Sequence, residues 1–401
     1  MAAKNKRKRW MKFRHKVVTA LLKPLFAIFI KIKYRAECVR FPESGKRPFL
    51  ILMNHQTGFD QFFIAVCFKG PVYYIATEDI FSLGFISKVI SYLVAPIPIK
   101  KQTTDVRAAL NCIHIAREGG TIALAPEGNR TYSGHTEYIK ESIVDLAKRI
   151  KLPIAIFRIE GGYGVQPRWA ENIRKGKMRA GVSRVIEPEE YLNMSDGELY
   201  SLIKQELYVN EAKVDNEYLC KRSAEYLERA IYVCPDCGLS EFESNKTKFT
   251  CKKCGLSAEY SATKEFVGEK DGFPFRFVGD WYEYQNRFIN GFDPREHTKS
   301  PLYTDTIAFS EVILYKSKSL IQKDAQAKLF GDRIEVAGEV FYFADAKVIT
   351  VLGKNKLNIY YGDKVYQFKG GKRFNALKYM HMFYRYRNLT EGDANGEFLG
   401  I

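Results

Sequence analysis

A histidine and an aspartate separated by four residues form the clearest chemical signal in the sequence. His55 comes just after the apolar run 49–53, and Asp60 falls in the predicted first turn of the next element. An imidazole is largely neutral at pH 7, so it can accept a proton while a carboxylate holds its other ring N–H. No serine or cysteine lies in a recognisable nucleophile elbow, so a hydroxyl of the substrate is the economical nucleophile. The pair predicts a general base, His55, oriented by Asp60; a purely structural pair is the alternative.

The segment Pro126–Arg130 is the second candidate for chemistry. It reads Pro-Glu-Gly-Asn-Arg and follows another apolar run. Gly128 lets the backbone approach a ligand closely, and the planar fork of Arg130 suits a phosphate. Glu127 is placed either to hold a ligand hydroxyl or to position that arginine. Taken alone, the same residues are also compatible with an ordinary turn.

Both motifs follow predicted strands of one domain. Short apolar runs that predict buried strands occupy residues 49–53, 72–76, 97–99, 121–124 and 154–159. Between them lie helix-like segments, the clearest of which is 104–118, with Thr103 or Thr104 as N-cap and Gly119 at its end. This alternation predicts an α/β domain with a mostly parallel sheet. The carboxyl ends of parallel strands are where such domains place their chemistry, so the two motifs are expected to meet there.

Taken together, the two motifs resemble those of the glycerolipid acyltransferase family, typified by 1-acylglycerol-3-phosphate acyltransferase. The resemblance rests on His-x4-Asp after one strand and Pro-Glu-Gly-x-Arg after a later one, and runs from about residue 47 to 157. Two weaker blocks accompany them, at 98–101, where Lys101 matches a cation of the family, and at 152–156. The sequence departs from the family pattern at Ala125, Asn129 and Ile156.

This resemblance implies direct transfer of a fatty acyl group from a thioester of coenzyme A or acyl carrier protein. His55 would take the proton of the acceptor's hydroxyl, and Asp60 would orient His55. The residues implied to hold the acceptor's glycerol phosphate are Glu127, Gly128, Arg130 and Lys101. The expected acceptor is 1-acylglycerol 3-phosphate, which gives phosphatidate in phospholipid synthesis. Another lysophospholipid or glycerol 3-phosphate is the alternative acceptor.

Four of the eight cysteines form two Cys-x2-Cys pairs, Cys234 with Cys237 and Cys251 with Cys254. Thirteen residues separate the pairs, and a glycine follows the second cysteine of each. This spacing predicts a tetrahedral thiolate site for a structural Zn²⁺ and resembles a zinc ribbon. Disulfides and a redox pair are the alternatives. Because such a module has little core of its own, the metal is expected to supply its folding energy.

Residues 1–35 are expected to lie on a membrane surface. They contain twelve of the 63 Lys and Arg residues and no acid, although the whole chain has a net charge of +17. Within this region, residues 17–32 are mostly apolar and include Lys23 and Pro24. As a helix rising ~1.5 Å per residue, this stretch is too short to span a bilayer. A lysine directed outward and an apolar side formed by Phe26, Ile28, Phe29 and Ile30 predict an interfacial segment on anionic lipid. The alternatives are a solubilising tail and a core helix broken at Pro24.

The remaining sequence predicts further units. With 46 % hydrophobic and 27 % charged residues, the composition excludes a disordered or many-helix membrane protein. We predict an anchor over 1–35, an acyltransferase domain over 36–230, a zinc ribbon over 231–262 and a β-rich domain over 270–401 that is closed by a helix and resembles the pleckstrin-homology-like class in outline.

Paired thiolates and the absence of a secretion signal predict a peripheral or monotopic protein on the cytoplasmic side of a membrane. The alternative to an enzyme is a non-catalytic zinc-ribbon protein that binds nucleic acid or membrane. Acidic residues around the ribbon argue against nucleic acid as a partner.

Overall fold

The computed structural model describes residues 9–99, 106–313 and 318–392 of the chain. Its first part, up to residue 207, alternates helices and strands as predicted. The helices are α1 Phe13–Lys33, α2 Asp60–Cys67, α3 Glu78–Phe81, α4 Phe85–Val94, α5 Val106–Arg117, α6 Ser142–Ile150, α7 Gly162–Val165, α8 Pro188–Tyr191 and α9 Asp196–Leu207. The strands are β1 Glu37–Cys38, β2 Leu50–Met53, β3 Val72–Thr77, β4 Ile97–Ile99, β5 Thr121–Leu124, β6 Ile154–Glu160 and β7 Arg179–Ile186.

These seven strands form one sheet in the order β1-β7-β6-β2-β5-β3-β4. Five adjacent strands are parallel to one another: β6, β2, β5, β3 and β4. Strand β7 runs antiparallel to β6. All four residues of β2 are buried, as expected of a parallel strand covered on both faces. The predicted α/β fold with a mostly parallel sheet is confirmed. The carboxyl ends of β2 and β5 lie side by side, so the loops that follow them meet.

Helix α1 continues through Pro24 without ending, so the alternative of a helix broken at that residue is wrong. Its inner side packs on α2, where the Phe26 and Phe62 rings stack with centroids 4.2 Å apart. Phe26 and Phe29 are half-buried and Ile30 is buried, so these three side chains face the domain and not the membrane surface predicted for them. Ile28, predicted with them, is exposed. The Lys23 ammonium donates to the Phe68 carbonyl at 2.7 Å instead of extending outward. Among the described helices, none is long and apolar enough to cross a membrane.

A small cysteine-containing unit follows the first domain. Its strands are β8 Val233–Cys234, β9 Gly238–Leu239, β10 Phe242–Asn245, β11 Lys248–Cys251, β12 Ser257–Tyr260 and β13 Phe266–Gly268. β8 and β9 form a hairpin, and β10 to β13 form an antiparallel sheet in sequence order. Phe242 and Phe249 of this sheet pack edge-on against Trp281 of the next helix. The unit therefore shares a hydrophobic core with the segment that follows it.

The last part of the chain is antiparallel β-sheet closed by a helix, as predicted. It comprises α10 Val278–Gly291, β14 Tyr303–Glu311, β15 Ser319–Leu329, β16 Arg333–Val336, β17 Glu339–Tyr342, β18 Ala346–Leu352, β19 Lys356–Tyr361, β20 Lys364–Gly370 and α11 Leu377–Thr390. The strand order is β17-β16-β15-β14-β20-β19-β18. The pleckstrin-homology-like class stays a prediction for this sheet. The turn between β18 and β19, residues 353–355, reaches the first domain, where Gly353 accepts a hydrogen bond from Arg168 at 3.2 Å.

Candidate active site

The loop after β2 is fixed at its start by Asn54. The Asn54 amide donates to the Ile159 carbonyl and accepts from the Ile159 N–H, both at 2.8 Å. Ile159 belongs to β6, so these two bonds fix the end of β2 to the neighbouring strand. Gly162 then allows α7 to pack closely on the loop, because a Cβ at that position would lie 2.6 Å from the Gln56 Cβ. The backbone at His55 is therefore fixed by contacts with β6 and α7.

His55 and Asp60 form the predicted dyad. The His55 Nδ1 lies 2.7 Å from the Asp60 Oδ2. Because a carboxylate has no proton to donate, Nδ1 carries the hydrogen, and Nε2 is left as the acceptor. Asp60 is fully buried, and its oxygens also accept from the backbone N–H groups of Gln56 and Thr57, at 2.8 Å each, and from the Thr57 hydroxyl at 2.6 Å. These contacts leave Asp60 one orientation and so fix the ring of His55.

Glu127 connects the two motif loops. One of its carboxylate oxygens accepts from the His55 N–H and the other from the Glu137 N–H, each at 2.8 Å. Burial raises the pKa of Glu127 well above its ordinary value, and the two backbone donors act against that rise. Both oxygens are therefore occupied by backbone, which makes Glu127 a brace for the His55 loop. A second brace is the Thr131 N–H, which donates to the His55 carbonyl at 3.3 Å.

Two guanidinium groups, those of Arg130 and Arg168, lie beside the dyad. The Arg168 side chain is buried and donates to the Arg130 carbonyl at 2.8 Å and to the Asn129 Oδ1 at 3.1 Å. Burial and the neighbouring Arg168 lower the pKa of Arg130 to about 10. Within the described part of the chain, neither guanidinium forms an ion pair with a carboxylate. The arrangement is thus a concentration of positive charge at which an anion would be stabilised.

A cavity of about 1220 Å³ joins the dyad to these cations. Its polar end is formed by His55, Glu127, Gly128, Arg130 and Arg168. The remaining walls are largely apolar and come from α1, α2, α4 and α5, with side chains such as Leu22, Phe62, Leu93 and Ile113. This volume exceeds the ~300–1,000 Å³ of ordinary small-molecule pockets. The cavity is therefore suited to a long apolar ligand with an anionic head.

The structure brings together His55, Asp60, Glu127, Gly128 and Arg130 of the predicted site. Gly128 closes the turn of its motif by donating its N–H to the Ala125 carbonyl at 3.0 Å, with a positive φ of 69° that favours glycine. Lys101, also predicted, lies outside the described residues, as do the predicted N-cap residues 103 and 104.

Three contributors to the site were not predicted: Thr57, Glu137 and Arg168. Thr57 lies between His55 and Asp60, and a threonine hydroxyl so close in sequence to a carboxylate could have been predicted to donate to it. Glu137 acts through its backbone N–H, which no residue type would indicate. Arg168 lies 38 residues after its partner Arg130, in a loop without a recognisable motif.

The four cysteines predicted to bind metal also come together. All four sulfur atoms lie within 4.8 Å of one another. The Cys234 and Cys254 sulfurs are 3.5 Å apart, and those of Cys237 and Cys251 are 3.6 Å apart. Four sulfurs bound tetrahedrally at ~2.3 Å from Zn²⁺ would be separated by about 3.8 Å. The residues therefore fit a four-coordinate thiolate metal site. Gly238 and Gly255, with φ of 69° and 77°, make the tight turn after each pair.

Comparison with known proteins finds a family match within the first domain. Residues 31–159 match the sequence model of the family described as Acyltransferase. This match confirms the resemblance to an acyltransferase family for residues 31–159, a segment that contains both motifs. Among solved structures, the crystal structure of the 1-acyl-sn-glycerophosphate acyltransferase PlsC from Thermotoga maritima is similar at 21 % identity, with a TM-score of 0.41, over 49 % of this chain and 80 % of that one. No curated protein matches the sequence.

Proposed function

We propose that this Acyltransferase-family domain moves a fatty acyl group from an acyl thioester to the free hydroxyl of 1-acylglycerol 3-phosphate, which gives phosphatidate. The observation that carries the proposal is the position of the His55–Asp60 dyad at the polar end of a large apolar cavity that the guanidinium groups of Arg130 and Arg168 also line. The apolar walls suit acyl chains, and the cations suit a phosphate. The dyad is proposed to act on a hydroxyl of the acceptor close to that phosphate.

The reaction uses His55 as a proton carrier. The His55 Nε2 takes the proton of the acceptor's hydroxyl while that oxygen attacks the thioester carbonyl carbon. The new C–O bond forms, the C–S bond breaks, and the proton on His55 passes to the departing thiolate. Asp60 stabilises the positive imidazole between these two steps because its carboxylate lies 2.7 Å from Nδ1. No acyl-enzyme is needed, since the acceptor's own oxygen is the nucleophile.

The acceptor's phosphate is proposed to lie against Arg130 and the backbone at Gly128. Arg130 is half-buried, and burial strengthens its attraction for an anion by excluding water. Glu127 is a positioning residue in this proposal, because both its oxygens already accept backbone N–H groups. Lys101 is proposed as a further cation for the same phosphate. The acyl donor is proposed to be carried by coenzyme A or acyl carrier protein.

We propose that the outer surface of α1 and α4 rests on a membrane containing anionic lipid. Six exposed apolar residues follow one another along one side of α1: Phe13, Val17, Leu21, Leu25, Ile28 and Ile32. Phe85, Ile86, Val89 and Tyr92 on α4 are also exposed. The two helices are joined by the Arg14 side chain, which donates to the Tyr92 carbonyl at 2.8 Å. An apolar surface with lysines at its margin suits a bilayer interface, which is also where a lysophospholipid is found. We place this membrane contact on the cytoplasmic side, where reducing conditions preserve thiolates.

We propose that the four clustered cysteines bind one structural Zn²⁺. The metal would stabilise the turns of the ribbon, which otherwise depend on few buried side chains of their own. Because Phe242 and Phe249 pack on Trp281, this stabilisation extends to the C-terminal unit. The site is distant in sequence from the dyad and supplies no group to the reaction as proposed.

The function is tested with the purified full chain in mixed micelles or anionic vesicles. Acyl-coenzyme A and acyl-acyl carrier protein are offered with four acceptors: 1-acylglycerol 3-phosphate, glycerol 3-phosphate, lysophosphatidylcholine and 1-monoacylglycerol. Thiol release and mass spectrometry of the lipid product are followed. We expect phosphatidate as the main product. Preferred acylation of glycerol 3-phosphate or lysophosphatidylcholine would replace the acceptor, and no acyl transfer with any pair would contradict the proposal.

A further inference from the structure

The cations beside the dyad extend beyond the first domain. Arg168 follows α7 and is buried among groups from three parts of the chain. It donates to the Arg130 carbonyl and to Asn129, and its Nε donates to the Gly353 carbonyl at 3.2 Å. Gly353 belongs to the turn between β18 and β19, so it comes from the C-terminal unit. Both Arg168 and Gly353 line the same cavity as His55.

Arg168 retains hydrogen-bond donors after these contacts. A guanidinium carries five N–H groups, and the three contacts use one on each nitrogen. One N–H on each terminal nitrogen therefore remains for a ligand. The neighbouring Tyr132 ring lies under the guanidinium, 4.1 Å from its central carbon, and holds its plane. The group is thus a rigid, pre-oriented fork and not a mobile surface charge.

The C-terminal turn is itself fixed to the first domain. Lys354 forms an ion pair with Glu171 at 3.0 Å, and Glu171 also pairs with buried Arg229 at 2.7 Å. Glu171 is three residues after Arg168, so this pairing places the turn directly over the Arg168 loop. The Gly353 carbonyl is held where Arg168 needs an acceptor.

We propose that Arg168, positioned by the C-terminal turn at Gly353, joins Arg130 in a two-arginine site for the phosphate monoester of the acceptor. The inference rests on the proposed acyltransferase function and deepens it by assigning the selection of the headgroup. Two planar forks that face one cavity match the oxygens of a terminal phosphate, which carries up to two negative charges. A phosphocholine group has one negative charge and a bulky cation, so it fits this site poorly. The C-terminal unit is consequently part of the acceptor site.

The test measures acceptor binding without a donor, so that no turnover is needed. Isothermal titration calorimetry of the full chain in detergent micelles compares 1-acylglycerol 3-phosphate with 1-monoacylglycerol, which lacks the phosphate. The variants are Arg168→Gln, Arg168→Lys and a control, Lys347→Gln, which also removes one positive charge but does so at the surface of the C-terminal unit. Lys347 is exposed on β18 and pairs with Asp363 at 3.6 Å. Circular dichroism and the midpoint of thermal unfolding check that each variant folds.

We expect R168Q to bind 1-acylglycerol 3-phosphate about 10- to 100-fold more weakly, as for the loss of a hydrogen bond to a charged group. Its affinity for 1-monoacylglycerol should be unchanged. R168K keeps a buried charge but not the fork, so it should fall between R168Q and the wild type. If R168Q does not fold, the comparison of the two ligands is made with R168K alone. K347Q should match the wild type. Equal loss for both ligands in R168Q and R168K would show that Arg168 only supports the loop and would overturn the inference.

A second variant tests the role of the C-terminal turn. Lys354→Met removes the ion pair that fixes the turn and should weaken binding of 1-acylglycerol 3-phosphate about 3- to 10-fold, with no effect on 1-monoacylglycerol. Wild-type affinity in K354M would contradict positioning by the turn. Turnover is then measured separately. Phosphate-dependent binding without acyl transfer would reject the proposed function but support this phosphate site. Acyl transfer together with wild-type binding in both Arg168 variants would support the function but reject the site.

Discussion

Replacement of Asp60 by asparagine tests the dyad with the smallest change of shape. The carboxylate accepts four hydrogen bonds, two at each oxygen. An amide has one oxygen, so its NH₂ group must face one of these two pairs of donors. If it faces His55, the ring changes tautomer, Nε2 carries the proton, and the base is lost. If it faces Thr57, the ring keeps its tautomer but the charged imidazole loses its carboxylate partner.

Both arrangements slow the reaction and weaken the fold by amounts that can be anticipated. General acid–base catalysis contributes about 10²- to 10⁴-fold, so kcat of D60N should fall within that range. Either arrangement also leaves one buried backbone N–H, of Gln56 or Thr57, without an acceptor. Such a group costs about 1–3 kcal/mol in the free energy of unfolding. The variant should therefore remain folded but be almost inactive.

A matched control separates the two effects. Thr57→Val removes the hydroxyl that donates to Asp60 at 2.6 Å and accepts from the Phe59 N–H at 3.1 Å. Its loss of stability should be similar, about 1–3 kcal/mol, while the contact between His55 and Asp60 is kept. We expect kcat of T57V to stay within about tenfold of the wild type. The assay is initial-rate thiol release, with urea unfolding of each variant. Equal losses of kcat in D60N and T57V, or a kcat of D60N within tenfold of the wild type, would refute the reasoning.

Three further predictions concern other parts of the molecule. Protein purified without chelators should contain about one zinc per chain, and chelation should lower the temperature of unfolding; zinc-free, equally stable protein would contradict the metal site. Burial raises the pKa of Glu211 to about 7, so its contribution to stability is present below pH ~4.5 and is lost as the pH rises to ~7. Glu211→Gln should consequently gain stability relative to wild type, on the order of 3 kcal/mol, between pH 4 and 8 in urea unfolding, and no gain would contradict the shift. The double variant Leu21→Asn, Leu25→Asn should sediment with anionic vesicles at least about tenfold less than the wild type, whereas Val267→Asn, an exposed control on β13, should not. Equal vesicle binding by the wild type, the double variant and V267N would exclude the α1 surface as the membrane contact.

The sequence was most informative where one physical rule acts alone. The buried strands β2 and β6 were predicted because parallel strands are continuous apolar runs. The capping box of α9, in which Ser195 and Glu198 exchange hydrogen bonds, involves two residues only three positions apart in the sequence. The cysteine cluster was predicted because thiolate spacing is a constraint of the metal itself. The dyad was found because its two members are only five residues apart in the sequence.

The sequence was least informative where contacts join distant segments. Arg168 depends on a carbonyl 185 residues later, and no local pattern encodes such a partner. The inner side of α1 was assigned to the membrane because Phe26 and Phe29 are apolar, but apolarity does not distinguish a lipid surface from the side of α2. Strand β7 was not predicted, since its half-exposed residues lack a continuous apolar run. In each case the missing information is the identity of the neighbour.

The most direct test of the central claim is the rate of phosphatidate formation by the wild type and by His55→Ala at saturating acceptor and thioester. The zinc content and the thermal unfolding midpoint of both proteins should be the same, because among the described residues the His55 side chain forms a hydrogen bond only with Asp60. We predict measurable synthesis by the wild type and a rate about 10²- to 10⁴-fold lower in the variant. Equal rates in the two folded proteins would show that His55 is not the base and would contradict the account.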